Sequence, residues 1–92
     1  MTKSEQPGYA KTIHKEKDKL TLEQLQKLVG GYIECITLKD GRQMIINEEG
    51  KLMDLPQNET ATKIFHENFP HLTEFDYICG DAIILSGEAR LD

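Results

Sequence analysis

Two histidines and a cysteine are the first residues whose types suggest chemistry. Four residues separate His66 from His71, and Cys79 follows them. Imidazole nitrogens and thiolate sulfurs are donors that zinc prefers, but zinc sites use tightly spaced ligand pairs. Pro70 lies between the two histidines and would end any helix that they shared. We therefore expect exposed histidines here, with no bound metal and no cofactor.

The two cysteines are the candidate nucleophiles. Cys35 and Cys79 each lie within an apolar, strand-like run. A thiol buried at such a position stays protonated and unreactive, and it packs as a small hydrophobic side chain. One disulfide between them is also compatible with the sequence. The chain has no Gly-x-Ser-x-Gly elbow and no phosphate-binding glycine loop, so we predict a protein that is not an enzyme.

Polar residues at predicted chain reversals are the remaining candidates for function, because reversals held by a rigid scaffold often carry binding residues. Their amide and carboxylate groups can pair with hydroxyl or amide groups of a ligand. Gly80 permits close approach to a ligand, although Gly80-Asp81 more often makes a turn or bulge. We predict a surface for a partner protein or a small polar ligand at Asn47, Glu48, Glu49, Asn58 and Asp81.

The acidic residues around Gly50 allow two further interpretations. Glu48, Glu49 and Asp54 could gather a divalent cation, but they lack the alternating oxygen ligands of a calcium loop. We expect solvated carboxylates instead. The second interpretation is an alternative function, an acidic inhibitor that mimics DNA. It adds further carboxylates to this cluster, namely Glu34, Asp40, Glu59 and Asp81.

Length and charge limit the function classes. The 92 residues suit one domain with a single core and little room for a deep active site. The net charge is −5: residues 1–19 carry five lysines against three acids, and the rest carries six basic against thirteen acidic residues. An acidic body makes nucleic acid an unfavourable partner. A sponge that sequesters a nucleotide signal is an alternative function, with Tyr32, Tyr77 and Arg42 as candidate contacts.

Cellular location follows from what the sequence does not contain. It has no apolar secretory region and no apolar run approaching the roughly 20 residues that span a bilayer. We therefore expect a cytoplasmic protein that makes no membrane contact.

The element with the clearest signals is a first helix. Thr21 is a good N-cap, and Gln24 completes a capping box with it. Leu20 and Leu25 match the positions of a hydrophobic staple. Apolar residues then recur at helical spacing until Gly30, which suits the left-handed residue that ends a helix.

Two strands and a second helix follow. Residues 32–38 and 43–47 are strand-like, and Asp40-Gly41 predicts a two-residue hairpin turn between them. Residues 51–53 suggest a brief further strand. Asn58 is the natural cap of the second helix, which Pro70 ends. Residues 77–79, a break at Gly80-Asp81 and residues 82–85 predict a hairpin or a bulged strand that returns to the sheet centre.

These elements predict an α+β fold, a small antiparallel or mixed sheet of about four strands covered by two helices. We expect a polar, flexible N-terminal segment at residues 1–19 and a single domain at residues 20–92, with a short strand at residues 12–14 as an alternative within the first segment. A strand left at a sheet edge could pair across a dimer.

Four segments resemble a family of small phage, plasmid and bacterial proteins, domain of unknown function 3846. They are LQKLVGGYIE at 25–34, NEEGKL at 47–52, LPQN at 55–58 with Ala61-Thr62, and GDAII at 80–84. Their order and spacing match over about residues 20–87. The family opens with an apolar strand, whereas the residues before Leu20 are polar and lysine-rich. The resemblance implies a protein of mobile genetic elements, and it transfers no catalytic residue. With this origin, the nucleotide sponge would be a phage protein that sequesters a host signal.

Overall fold

A computed structural model describes residues 10–91 of the chain. Its sheet has the strand order β1-β4-β3-β2, in which β1 is parallel to β4 and the other pairs are antiparallel. The prediction of a small α+β domain with a mixed sheet and two helices is confirmed. The elements in chain order are β1 Thr12–Lys15, α1 Leu22–Val29, β2 Ile33–Thr37, β3 Gln43–Asn47, α2 Glu59–Asn68 and β4 Ala82–Leu85, with 3₁₀ turns at Pro70–Leu72 and Gly87–Ala89.

Helix α1 has the ends that its sequence predicts. The Thr21 hydroxyl accepts from the Gln24 amide at 3.1 Å, and the Gln24 side chain accepts from the Thr21 amide at 2.8 Å. Gly30 ends the helix with φ of 81°. Leu25 and Val29 are buried against the sheet, which places the last turn of α1 beside the start of β2.

The two helices cover opposite faces of the sheet. Strands β3 and β4 are buried along their whole length, as expected for the centre of a three-layer domain. Alternate residues point to opposite faces of a strand. Met44, Ile46 and Ile84 therefore pack with α2. Ile45 and Ile83 pack with α1.

The connection between β2 and β3 is longer than predicted. The Leu38 amide donates to the Arg42 carbonyl at 2.8 Å, and the Gly41 amide donates to the Leu38 carbonyl at 3.0 Å. Three residues, not two, therefore lie in the loop. Gly41 has φ of 95°, whereas Asp40 keeps an ordinary negative φ. The loop matches the hairpin type in which a type I turn is followed by one left-handed glycine.

Two other expectations about strands are corrected. Residues 51–53 are not a strand, because the Met53 amide donates to Glu49 and the Leu55 amide donates to Gly50 in consecutive tight turns. Cys79 does not form a hairpin with β4. It makes an isolated bridge with Gln57, and β4 then returns alone to the sheet centre.

The N-terminal segment contributes to the sheet. Strand β1 covers the predicted residues 12–14 and extends to Lys15, and it pairs with β4 along its whole length. Part of the polar segment 1–19 is thus structured within the domain. Residues 1–9, which the same prediction included, lie outside the described residues.

Candidate functional site: an acidic groove beside an edge strand

A groove of about 370 Å³ opens on the α2 face of the sheet, beside β2. Strand β2 forms one wall, the turns after β3 form a second, and residues 76–79 form a third. Its floor is apolar and consists of Ile36, Ile46, Phe65 and Ile78. The groove can therefore accept apolar side chains of a ligand.

The rim of this groove is acidic. Glu34 of β2 and the turn residues Glu48 and Glu49 line it with exposed side chains. At the opposite wall, Lys51 forms a salt bridge with Asp76. The hydrogen bond from Lys51 lowers the pKa of the Asp76 carboxyl, and the same bond raises the pKa of Lys51.

Lys51 also contacts an aromatic ring. Its ammonium lies 4.6 Å from the centre of the Tyr77 ring, a cation–π distance. Among the described residues that line the groove, Lys51 is the only lysine or arginine, and Asp76 already neutralises it. The three glutamates therefore dominate the electrostatic field at the mouth of the groove.

Helix α2 holds the third wall in place. The Thr62 hydroxyl accepts from the Ile78 amide at 2.9 Å and donates to the Ile78 carbonyl at 3.3 Å. The Ile78 carbonyl also accepts from the Asn58 amide at 2.7 Å. His66 Nε2 donates to the Asp76 carbonyl at 2.8 Å. These bonds fix a segment that lacks regular secondary structure.

The Asn47 side chain shapes the second wall. It is 3 % exposed, its Nδ2 donates to the Val29 carbonyl at 3.1 Å, and its Oδ1 accepts from the Glu49 amide at 2.8 Å. A Cβ on Gly31 would lie 2.9 Å from Nδ2, so any larger residue there would displace the Asn47 side chain. Asn47 joins the end of α1 to the turn that carries Glu48 and Glu49.

Asn58 has a similar structural role where α2 meets the starts of β1 and β4. It is 0 % exposed. Its Oδ1 accepts from the Ala61 amide at 2.9 Å and from the Thr12 hydroxyl at 3.0 Å, and its Nδ2 donates to the Lys11 and Gly80 carbonyls, both at 3.0 Å. Both donors and both lone pairs of the amide are used. Asn58 caps α2 and ties it to β1.

Asp81 is not among the residues that line the groove. Its carboxylate accepts from the Lys11 amide at 3.0 Å, and it lines a separate pocket of about 250 Å³ that also contacts the end of α1. The structure therefore brings Asn47, Glu48 and Glu49 together in one groove and places Asn58 and Asp81 elsewhere. The binding role of the five predicted residues stays a prediction.

Within residues 10–91, one side of β2 has no neighbouring strand. The Glu48 amide donates to the Tyr32 carbonyl, and the Leu38 amide donates to the Arg42 carbonyl, in the same register as the β2–β3 pairs. Hydrogen-bonded and non-bonded residues alternate in an antiparallel pair. The backbone groups of Ile33, Cys35 and Thr37 therefore point away from β3, toward the open edge beside the groove.

The residues with other proposed chemistry do not form a centre. Within residues 10–91, no group of three or more His, Cys, Asp and Glu residues could hold a metal ion. Both cysteines are free, and Cys79 is buried as predicted, but Cys35 is exposed. The prediction was wrong for Cys35 because its strand lies at the sheet edge. Desolvation raises the pKa of both thiols, which keeps them protonated.

The nucleotide hypothesis receives little geometric support. Arg42, its candidate phosphate partner, forms a salt bridge with Asp40 at 2.7 Å in the hairpin loop. That hydrogen bond lowers the pKa of the Asp40 carboxyl. Arg42 is not among the residues that line the groove with Tyr77. The hypotheses of a nucleotide sponge and of a DNA mimic stay predictions.

Several groove residues escaped the sequence interpretation. The sequence indicates Ile36 and Phe65 only as apolar residues of a strand and a helix. No local pattern indicates Asp76, because its partner Lys51 is 25 positions away in the sequence. Glu34 is the residue by which the sequence indicates the groove, because an acidic residue interrupts an otherwise apolar strand. It was assigned only to the DNA-mimic alternative.

Comparison with known proteins identifies the family. The family model described as a domain of unknown function, DUF3846, matches residues 1–90. The chain belongs to the DUF3846 family. The match confirms the resemblance and extends it to β1, which lies before the residues 20–87 that the resemblance covered. No curated protein and no solved structure matched the chain. No helix within residues 10–91 is long and apolar enough to cross a membrane.

Proposed function

We propose that this DUF3846 protein is a non-enzymatic binding module that takes up a partner-protein segment containing basic and apolar residues in the acidic groove. The observation that carries the proposal is the combination of an apolar floor with three rim glutamates and one neutralised lysine. Charged rims that complement a partner increase the rate of encounter and exclude partners of like charge. The groove thus favours a cationic segment over a phosphate ligand.

The volume of the groove is suited to binding a few side chains of a partner protein. Its volume of about 370 Å³ is near the lower end of the roughly 300–1,000 Å³ that small-molecule sites occupy. Tyr77 and Leu52 at its border are 44 % and 85 % exposed. An exposed apolar border is typical of protein recognition sites. A cytoplasmic host or phage protein is the partner class that the resemblance to mobile-element proteins favours.

The proposal predicts saturable binding of a short cationic probe. We choose acetyl-Thr-Val-Thr-Lys-Thr-amide and follow ¹⁵N-labelled protein by NMR, because chemical shifts report weak binding residue by residue. We expect shift changes at the groove residues. Combined substitution of Glu34→Gln, Glu48→Gln and Glu49→Gln weakens binding about tenfold, since three exposed charge interactions are lost.

A matched control separates the groove from net charge. Glu23→Gln, Glu74→Gln and Glu88→Gln remove the same number of exposed carboxylates outside the groove lining. These substitutions change the affinity by less than about twofold. A probe with glutamate in place of lysine is expected to bind at least about tenfold more weakly. Equal binding of the lysine and glutamate probes, or no binding of the lysine probe, contradicts the proposed function.

A further inference from the structure

The open edge of β2 adds a backbone recognition element to the groove. Ile33, Cys35 and Thr37 direct their N–H and C=O groups away from β3, as the register of the hairpin requires. No strand within residues 10–91 pairs with this edge, because β2 is last in the sheet order. Such a row of backbone groups can accept an extended segment of another chain.

The two sheet edges differ in their charge. The other edge strand, β1, contains Lys15 and directly follows Lys11, and lysines on an edge strand discourage pairing with further strands. Strand β2 contains one charged residue, Glu34, which is negative. The edge of β2 therefore discourages a second acidic strand and accepts a basic one.

The register also determines which side chains of an added strand reach the groove. Glu34 and Ile36 are opposite Ile46 and Met44 on β3, so they point to the α2 face. Side chains of an antiparallel addition that lie opposite them are close neighbours, because these are the non-hydrogen-bonded positions of the new pair. A basic residue suits the position opposite Glu34, and an apolar residue suits the position opposite Ile36.

A second copy of this chain is a poor occupant of the edge. A symmetric β2–β2 pair would bring two acidic rims together, each with Glu34, Glu48 and Glu49. The chain also carries a net charge of −5. Like charges at an interface oppose association. This argument disfavours the dimer that the sequence suggested for a sheet edge and favours a partner of opposite charge.

We infer that the partner segment adds to β2 as an antiparallel strand, with the pattern apolar–x–basic placing its apolar residue opposite Ile36 and its basic residue opposite Glu34. The inference rests on the proposed function, because it specifies how the same groove is used. In acetyl-Thr-Val-Thr-Lys-Thr-amide, the central threonine then lies opposite Cys35 and directs its N–H toward β2. The valine and lysine direct their N–H groups away.

Single N-methylation of the probe tests this geometry. Methylation of the central threonine nitrogen removes a donor to β2 and introduces a clash, so the affinity falls at least about tenfold. Methylation of the valine nitrogen is the matched control and changes the affinity by less than about threefold, because that N–H faces solvent. The amide shifts of Ile33, Cys35 and Thr37 change on titration with the unmodified probe. The reversed sequence, Thr-Lys-Thr-Val-Thr, binds more weakly.

The outcomes separate this inference from the proposed function. Equal loss, or no loss, for the two methylated probes overturns strand addition, while dependence on the rim glutamates would still support groove binding. Tighter binding of the reversed probe overturns the antiparallel orientation. Absence of binding by the unmodified probe overturns the proposed function and this inference together. Doubling of the molecular mass of the free protein at micromolar concentration overturns the argument against a second copy.

Discussion

Replacement of Asn58 by alanine tests whether this residue is part of the scaffold. Asn58 was predicted both to cap the second helix and to bind a partner. In the structure its buried side-chain amide makes four hydrogen bonds. They join Asn58 to the first turn of α2, to Lys11 and Thr12 at β1, and to Gly80. Asn58→Ala removes all four at once. The expected result is a large loss of stability.

The expected loss in the free energy of unfolding depends on which groups are left without a hydrogen-bond partner in Asn58→Ala. Loss of the helix cap at Asn58 costs about 1 kcal/mol. The buried Gly80 carbonyl loses its partner, which costs about 1–3 kcal/mol. The Lys11 carbonyl still accepts from the Ala82 amide at 3.0 Å, and the half-buried Thr12 hydroxyl can turn to water, so these groups add little. The expected destabilisation is roughly 2–4 kcal/mol.

Urea unfolding measures this loss as a lower midpoint with an unchanged m-value. Asn58→Ser is the matched variant, because serine keeps the cap but cannot reach both carbonyls. It is expected to be about 1 kcal/mol more stable than Asn58→Ala. A loss below about 0.5 kcal/mol for alanine, within the range of ordinary surface substitutions, would refute the reasoning. So would a serine variant no more stable than the alanine variant.

Three further predictions concern the groove and its surroundings. Gly50→Ala places a Cβ 2.7 Å from the Cys79 carbonyl oxygen, so we expect about 1–3 kcal/mol of destabilisation in urea. The hydrogen bond from Lys51 lowers the pKa of Asp76 in the folded protein. The Lys51–Asp76 pair therefore contributes its full stability above about pH 4, the pKa of an aspartate in the unfolded chain. This contribution is lost as the pH falls through the lower pKa that Asp76 has in the folded state. The advantage of the native chain over Asp76→Asn, less than about 1 kcal/mol for so exposed a pair, should therefore disappear in acid; an advantage that persists there contradicts the assignment. In native protein a thiol reagent should modify exposed Cys35 much faster than buried Cys79, and equal rates measured by mass spectrometry would contradict the burial.

Features that depend on neighbouring residues were predictable. The capping box of Thr21 and Gln24, the left-handed Gly30 and the Asn58 cap were all recognised from residues within a few positions of one another. The hairpin loop contains three residues, one more than predicted. Asp-Gly is compatible with both loop lengths, and the cross-strand register selects between them.

The candidate site was predicted only in part. Glu48 and Glu49 were identified as exposed acidic residues of a turn, and they line the groove. Asn47 was chosen for the same reason, but its side chain faces inward to Val29 and Glu49. A polar residue at a chain reversal can bind a ligand or hold the reversal together, and the sequence pattern is the same in both cases.

The sequence by itself determined both helices, the strands β2, β3 and β4 and the family, because caps, turns and periodicity are local properties. Only the tertiary structure decided which strands lie at the edges and where the groove opens. The parallel pairing of β1 with β4 depends on contacts such as Lys11 with Asp81, 70 positions apart. That pairing buries β4 and leaves β2 at the opposite edge. Such contacts form because two apolar faces must both be covered, and no local pattern specifies which edge remains open.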